Sequence, residues 1–472
     1  MELEVIKKLI DSSRIEHDKF IEKANVAEAY YKGNNDILEK RSPSNEVQSR
    51  SDNPLRTADN RITHNWHGLL VNQKASYMFT YPPLFDTGDK ELNEFIAEVL
   101  GDEYPKECNT LGVNADNCGL AWLHVWIDET NSFQYANVDP KQITPVYSSD
   151  LKKRLIAVLR TYKSLDDTGE KCTVYEYWTD KECYRFSSKD GNTSNIVAFN
   201  SFEKKNLDTG DIEQTNVYPH NFGEVPFIEF PNNSFKISNL DNIKKLVDVY
   251  DKVFSGYVND IEDIQEVIFV LTNYGGADLD EFLGSLKRYK TVDLQNDGPD
   301  DKSGLNPMTI DIPVEARNKL LEITRKAIFV QGQGIDPERQ EFGNVSGVAL
   351  KFVYSLLELK AGMTETEFRL GFGRLVRMIA KHLGKPVKKL TQTWTRNMIT
   401  NDVETAEIAS QSSSDFKVSN RTLLTNHPWV EDVEDELKQL EEDKKKKLEY
   451  EQKAFGSYDF KQGNGIDGQE ED

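Results

Sequence analysis

Apolar positions in this chain recur first at helical spacing, then at every second residue, then at helical spacing again. A pattern of three-and-four spacing over residues 3–32 predicts an N-terminal helix. A second, ITHNWHGLLVNQKASYMF, covers about 62–79 and must end at Tyr81-Pro82-Pro83, because proline cannot continue it. Residues 90–117 again read as helical. From Ala121 the period drops to two, in AWLHVWID, SFQYANVD, ITPVYSS, RLIAVLRTYK, TVYEYWTD, ECYRFSS, NIVAFNSFEK and FIEFP. Turn signals such as Asp167-Thr168-Gly169 and Lys189-Asp190-Gly191 separate these runs, and we expect one antiparallel sheet over 119–231.

Long rods follow. Residues 238–272 keep Leu240, Ile243, Val247, Tyr250, Phe254, Val258, Ile261 and Ile268 on one stripe, which predicts a rod of roughly 50 Å. Its other face carries Asp241, Asp248, Asp251, Asp260 and Glu262, read as a solvated acidic face. A small αβ segment over 273–312 links it to a second helix over 313–331, with Pro313 at its start. The loop QGQGIDPERQEFGN comes next. Gly332, Gly334 and Gly343 give it conformational freedom, and Pro337 stops any continuous helix. Asn344 or Ser346 can cap a last long helix over 345–384, about 57 Å if unbroken, in which Gly362, Gly371 and Gly373 mark bends or close packing. Beyond Pro386 a strand and the start of a helix (385–413), a helical segment (414–455) and an acidic, Gly-rich tail (456–472) complete the chain; the tail and the polar stretch 34–60 read as loop or disorder.

Composition narrows the function. The 472 residues suffice for two to four core-forming units, and 58 basic against 80 acidic residues leave a net charge of −22. That balance argues against non-sequence-specific gripping of DNA, which needs basic side chains to displace counterions. Cys108, Cys118, Cys172 and Cys183 form no CxxC pair, so buried reduced thiols and a cytosolic site of synthesis are expected. No apolar window approaches a membrane span, and the N-terminus is not a signal peptide.

Chemistry-bearing motifs fail one by one. DLQNDGPDDKSG matches a calcium loop at Asp293, Asp297 and Gly298 and fails at Gln295 and Gly304. No GxxxxGK[ST] run exists, and Gly332-Gln333-Gly334 lacks the third glycine and lysine of a phosphate loop. His64 and His67 lie close, at i and i+3 of one expected helix, without an acidic residue at ligand spacing. There is no nucleophile elbow. The aromatic run Tyr175, Tyr177, Trp178, Tyr184 and Phe186 reads as sheet core rather than a base-stacking platform. No catalytic residue, metal site or cofactor is predicted.

Several strings, in order, carry a resemblance: NRITHNWHGLLVNQKASYMFTYPPLF, VPFIEFPNN before LVDVYDKVFSGYVNDIEDIQ, EFGNVSGVALKF, TRNMITNDVETAEIA, and VSNRTLLTNHPWVEDVEDELKQLEE. Over roughly residues 60–445 the chain resembles the portal proteins of tailed bacteriophages, in particular those of long non-contractile-tailed phages of Gram-positive hosts. The resemblance implies an α+β portal-type fold: a mixed wing (1–237, with the long spine helix 345–384 and a return over 385–413), a two-helix stem (238–272 and 313–331), a small αβ clip (273–312), a tunnel loop (332–344) and a helical crown (414–455). It implies a homo-oligomeric ring of about twelve copies around a duplex-DNA channel at one capsid vertex. The implied partners are the terminase large subunit, a head-completion adaptor, and the major capsid and scaffold proteins. A non-catalytic cytosolic scaffold or a ring of other function stays open as the alternative.

The site residues are implied in the same way. The tunnel loop would present Gln331, Gly332, Gln333, Gly334, Ile335, Asp336, Glu338, Arg339, Gln340 and Asn344 to the channel. Lys319, Arg325 and Lys326 on the returning rod would offer exchangeable phosphate contacts, or else pair with Glu315, Glu322 or a neighbour's acidic rod. The clip would offer the adaptor Asp278, Asp280, Arg288, Lys290, Asp293, Asp297, Asp300 and Lys302. High acidity suits such a pore, since DNA must slide rather than be held.

Overall fold

Capping and turn chemistry set the limits of the N-terminal helices. The computed structural model describes residues 3–39, 58–165, 169–189, 191–205, 212–264, 268–272, 304–308, 313–339, 347–398, 419–425, 430 and 433–455. Helix α1 spans Leu3–Tyr31. Helix α2 spans Trp66–Phe79, later than its periodicity suggests, because the Asn65 side chain caps it by accepting the Gly68 N–H at 2.9 Å. His64 therefore precedes the helix rather than sharing a face with His67. After the short strand β1 (Leu84–Asp86), the helical stretch divides into α3 (Lys90–Leu100) and α4 (Tyr104–Cys118). Gly101, at φ +59°, closes the first, and Pro105 sits in the opening turn of the second.

Among the described residues, the single sheet expected over 119–231 is divided into three antiparallel sheets. Strand β2 (Leu120–Ile127) lies between β3 (Phe133–Val138) and β12 (Phe227–Pro231). A larger sheet runs β11 (Val217–Pro219), β7 (Glu182–Ser188), β6 (Lys171–Trp178), β5 (Leu155–Leu165), β4 (Ile143–Tyr147), with β8 (Val197–Ala198) on β7. Strands β9 (Phe202–Lys205) and β10 (Ile212–Thr215) form a separate pair. Alternation identifies each strand but not its partner, so the division was not legible locally. Trp122, Val138, Ile143, Val158, Trp178, Cys183 and Phe227 form a core shared by the two larger sheets. Ile6 of α1 packs with Leu159, Tyr175, Tyr177 and Phe186, which places most of the aromatic run in the core as expected. All four cysteines are buried and none is disulfide-bonded.

Helix α5 spans Leu240–Ile264 and stops short of the expected 272. Residues Ile268–Thr272 are instead a strand, β13, paired antiparallel with β14 (Gly304–Met308). The run IFVLT has β-branched and aromatic character, and a long-range partner decides in favour of the ladder. Helix α6 covers Val314–Gln331, and α7 covers Gly347–His382 without a break at any of its three inner glycines. A Cβ on Gly371 would lie 2.5 Å from the Phe230 ring, so this glycine permits close packing, whereas Gly362 faces open space. Strand β15 (Thr391–Thr393) returns to pair with β1.

The chain divides into two units. One comprises 1–341 with 354–397; the other comprises 342–353 with 398–472. In the second, the described residues include α8 (Asn420–Thr425) and α9 (Val433–Phe455), the latter exposed over most of its length. No helix among the described residues is long and apolar enough to cross a membrane. The eight residues named for the clip lie outside the described residues, as do Gln340, Asn344, the segment DVETAEIASQ and the tail.

Candidate functional site

The C-terminus of α6 and the start of the following loop form a polar site held by side chains from α2, α6 and α7. Apolar side chains come first: Ala27 and Tyr30 of α1, Leu70 of α2, Leu240, Ile243 and Val247 of α5, and Ile328 and Phe329 of α6 share one core. Gly332 ends α6 with its N–H donating to the Ile328 carbonyl at 2.8 Å, and the Gly334 N–H donates to Phe329 at 3.0 Å. These bonds use carbonyls that a helix end otherwise leaves unpaired.

Side chains from two other helices then hold the loop base. Gln73 of α2 donates from Nε2 to the Ile335 carbonyl at 2.7 Å, and its Oε1 accepts the Ile335 N–H at 3.0 Å. Lys360 of α7 donates to the Gly332 carbonyl at 2.9 Å. Within the segment, Arg325 donates to Asp336 at 2.8 Å and also pairs with Glu338, while its guanidinium lies over the Trp66 and Phe329 rings. The Asp336 carboxylate accepts the Glu338 N–H at 3.1 Å.

This geometry corrects the role read for two glycines. Gly332 has φ −74°, and neither it nor Gly334 takes a positive φ; Gln333 between them does, at +52°. A Cβ on Gly332 would sit 2.6 Å from Leu70 Cδ1 and 2.7 Å from the Ile328 carbonyl oxygen; one on Gly334 would sit 2.1 Å from Leu70 Cδ2. Both residues are small because α2 comes too close for a side chain, not because the backbone there must move. Residues 332–336 are an anchored base rather than a free loop.

A buried polar cluster lies behind the base. Lys74, 3% exposed, donates to Asp116 at 2.5 Å and to the Asn232 side chain at 2.6 Å. Asn232 in turn donates to the Ile237 carbonyl and the Asn239 side chain, and its own carbonyl accepts the Thr364 hydroxyl at 2.8 Å. Burial depresses the pKa of Lys74, opposed by Asp116, and lowers that of Lys360 to about 8, again opposed by Asp116. His67 donates to Asn117 at 2.9 Å and is held neutral by burial, its pKa lowered to about 4. Sequence reading missed this cluster. The available signal was that Lys74 and Lys360 stand within apolar helical stripes, beside Val71, Ala75 and Met78 and beside Leu357, Ala361 and Phe368.

The acidic face of α5 is solvated only in part: Asp241 and Glu262 are exposed, but Asp248, Asp251 and Asp260 are paired. Asp251 is fully buried and accepts from Asn35 at 2.6 Å, from the His64 backbone N–H at 3.0 Å and from His64 Nδ1 at 2.8 Å. Asp248 and Asp36 hold Lys244, and Asp260 holds Arg317 of α6. The helix thereby straps the extended segment 59–65 and the returning rod. Of the three basic residues named on that rod, Lys319 pairs with Glu322 at 3.0 Å, Arg325 belongs to the loop base, and Lys326 is exposed. Gln331, Pro337 and Glu338 are exposed, and of Arg339 only the backbone is described. Among the described residues no group of histidine, cysteine and carboxylate side chains could hold a metal ion.

Comparison with known proteins fits this architecture. The family model for phage portal proteins, SPP1 Gp6-like, matches residues 11–450. A portal protein of Clostridium phage phiCD119 is 44% identical over 460 residues, covering 94% of this chain and 97% of that protein. The portal protein of Bacillus phage SPP1 is 29% identical over 430 residues, covering 88% and 82%. Among solved structures, the neck of an empty GTA particle computed with C6 symmetry aligns at a TM-score of 0.47 and 11% identity, over 77% of this chain and 90% of that one. With the match running almost end to end, the chain belongs to the phage portal protein family, SPP1 Gp6-like: it is a head-to-tail connector subunit, not an enzyme.

Proposed function

We propose that about twelve copies close into a ring at one capsid vertex, and that double-stranded DNA is packaged, retained and released through its centre. The observation that carries the oligomer is apolar surface left uncovered on two separate helices. On α7, Leu356, Leu359, Met363 and Leu370 recur at helical spacing and are 37%, 57%, 48% and 72% exposed; on α6, Leu320, Ile323 and Val330 are 44%, 55% and 50% exposed. In a chain of net charge −22 such stripes need a covering surface. Two different stripes on one subunit suit a head-to-tail contact, which generates rings.

In this reading the loop from Gln331 to Asn344 narrows the channel, with exposed Lys319 and Lys326 offering weak phosphate contacts. Residues 273–312 meet a head-completion adaptor. The terminase large subunit drives DNA inward, and capsid and scaffold proteins surround the wing. The working place is the virion, after synthesis in the host cytoplasm. Electron microscopy of the purified protein tests the core of the proposal. A closed ring with a central hole is expected; a monomer or an open filament overturns it.

A further inference from the structure

A cavity of about 390 Å³ lies between β2, β11 and the C-terminal end of α7, remote in sequence from the loop base. Its volume is at the lower end for binding sites, enough for one large group rather than a cofactor. Trp126, Trp178, Tyr218 and Phe222 supply aromatic walls, with Lys381 and His382 contributed by the end of α7. No carboxylate lines it, in a chain with 80 acidic residues.

Polarity is arranged one way. Lys381 spends one N–H on the Phe222 carbonyl at 2.5 Å and forms no ion pair among the described residues. His382 and the Asn131 carbonyl meet at 3.1 Å. The Tyr218 hydroxyl and the Trp126 indole N–H have no hydrogen-bond partner among the described residues, so both remain available as donors. Aromatic walls, spare donors and one uncompensated ammonium specify an occupant that combines a flat apolar group with negative charge.

We infer that this cavity is a docking pocket for an acidic segment of a partner protein, which inserts an aromatic side chain between Trp126 and Phe222 and sets a carboxylate against Lys381. The choice of a protein segment rests on the reading of the chain as a capsid-vertex component, whose neighbours are proteins. The aromatic anchor supplies the affinity, as buried aromatic side chains do at interface centres. Lys381 supplies charge selection and the rate of encounter.

The test uses the full-length assembled protein and saturation-transfer NMR titrations with an acetylated pentapeptide amide that carries phenylalanine flanked on each side by two acidic residues. Replacing the central phenylalanine by alanine, or the acidic residues by lysines, should each weaken binding by about tenfold or more. In the protein, Trp126→Ala should do the same, and Lys381→Glu, at an exposed position, should weaken the acidic peptide and favour the basic one, with Lys381→Gln, which can still donate to the Phe222 carbonyl, weakening the acidic peptide alone. Equal binding of the alanine peptide, equal binding of the basic peptide, insensitivity to Lys381→Glu, or no saturable binding overturns the inference. Phenylacetate binding as tightly as the peptide also overturns it, by assigning the cavity to a small molecule. Ring closure seen by microscopy is a separate readout, so a ring that ignores the peptide refutes the pocket alone, and a peptide-binding monomer refutes the ring alone.

Discussion

Gln73 and Ile335, 262 positions apart, share a two-way bond in which the side-chain amide of one pairs with the backbone N–H and carbonyl of the other, at 3.0 and 2.7 Å. The bond ties the loop to α2 at its fourth residue. Any excursion of the proposed channel loop therefore starts beyond Asp336, in the stretch from Pro337 onward. Gln73→Ala leaves both groups of Ile335 unpaired, a local cost of about 1–3 kcal/mol. Hydrogen exchange at the Ile335 amide should then accelerate roughly 10- to 100-fold, with the α2 amides unchanged. Unchanged protection at Ile335 would refute the anchor.

Substituting Gly334 reads packing before it reads flexibility. Gly334→Ala forces a methyl into the space of Leu70, and overpacking of this kind costs about 1–3 kcal/mol. Trimming the other partner with Leu70→Val should recover part of that loss, a positive coupling visible in a double-mutant cycle of urea midpoints. Additive effects would show that the two residues do not press on each other. Gly334→Pro also removes the N–H that donates to Phe329, so any packaging defect in that variant includes a displaced loop base.

Lys360 makes a pH signature at the alkaline end. Its folded pKa, about 8, is below the ordinary lysine value, with Lys74 and Asp116 as the charged neighbours. The unfolded chain then binds more protons than the folded one between roughly pH 8 and 10.5, so this group makes stability rise with pH across that window. Lys360→Met should remove a slope of up to about 1.4 kcal/mol per pH unit, measured as the difference between wild-type and variant unfolding free energies from pH 7.5 to 10. A constant difference over that range would refute the shifted lysine.

Acid should act through two buried imidazoles. Burial lowers His67 and His124 to about 4, and each donates one ring N–H, to Asn117 and to the Pro226 carbonyl. Unfolded histidines protonate near 6.5, so the stability linked to these residues is present above that pH and is lost as pH falls toward 4. In the double variant His67→Gln with His124→Gln this loss is absent, so the wild-type-minus-variant difference in thermal midpoint should fall steadily as pH drops from 7 to 4.5. If wild type and the double variant lose stability in parallel, other groups carry the acid sensitivity.

Helix existence and the aromatic sheet core were both determined by short-range pattern. Each depends on residues within a turn or a pleat of one another: the stripe of α5, the Pro313 start of α6, the alternation in TVYEYW. The order of motifs over roughly residues 60–445 was also enough to point to the family. Tertiary structure alone decided the rest, because the causes lie far away in the chain. IFVLT became a strand because Gly304–Met308 is there to pair with it. Gly332 and Gly334 looked like hinges, and only the position of Leu70 shows them to be contacts. Lys74, Lys360 and Asp251 carry charges that composition assigns to solvent; their burial is tolerated only where Asp116, the Gly332 carbonyl, Asn35 and His64 have been brought within hydrogen-bonding distance by the packing of helices distant in sequence.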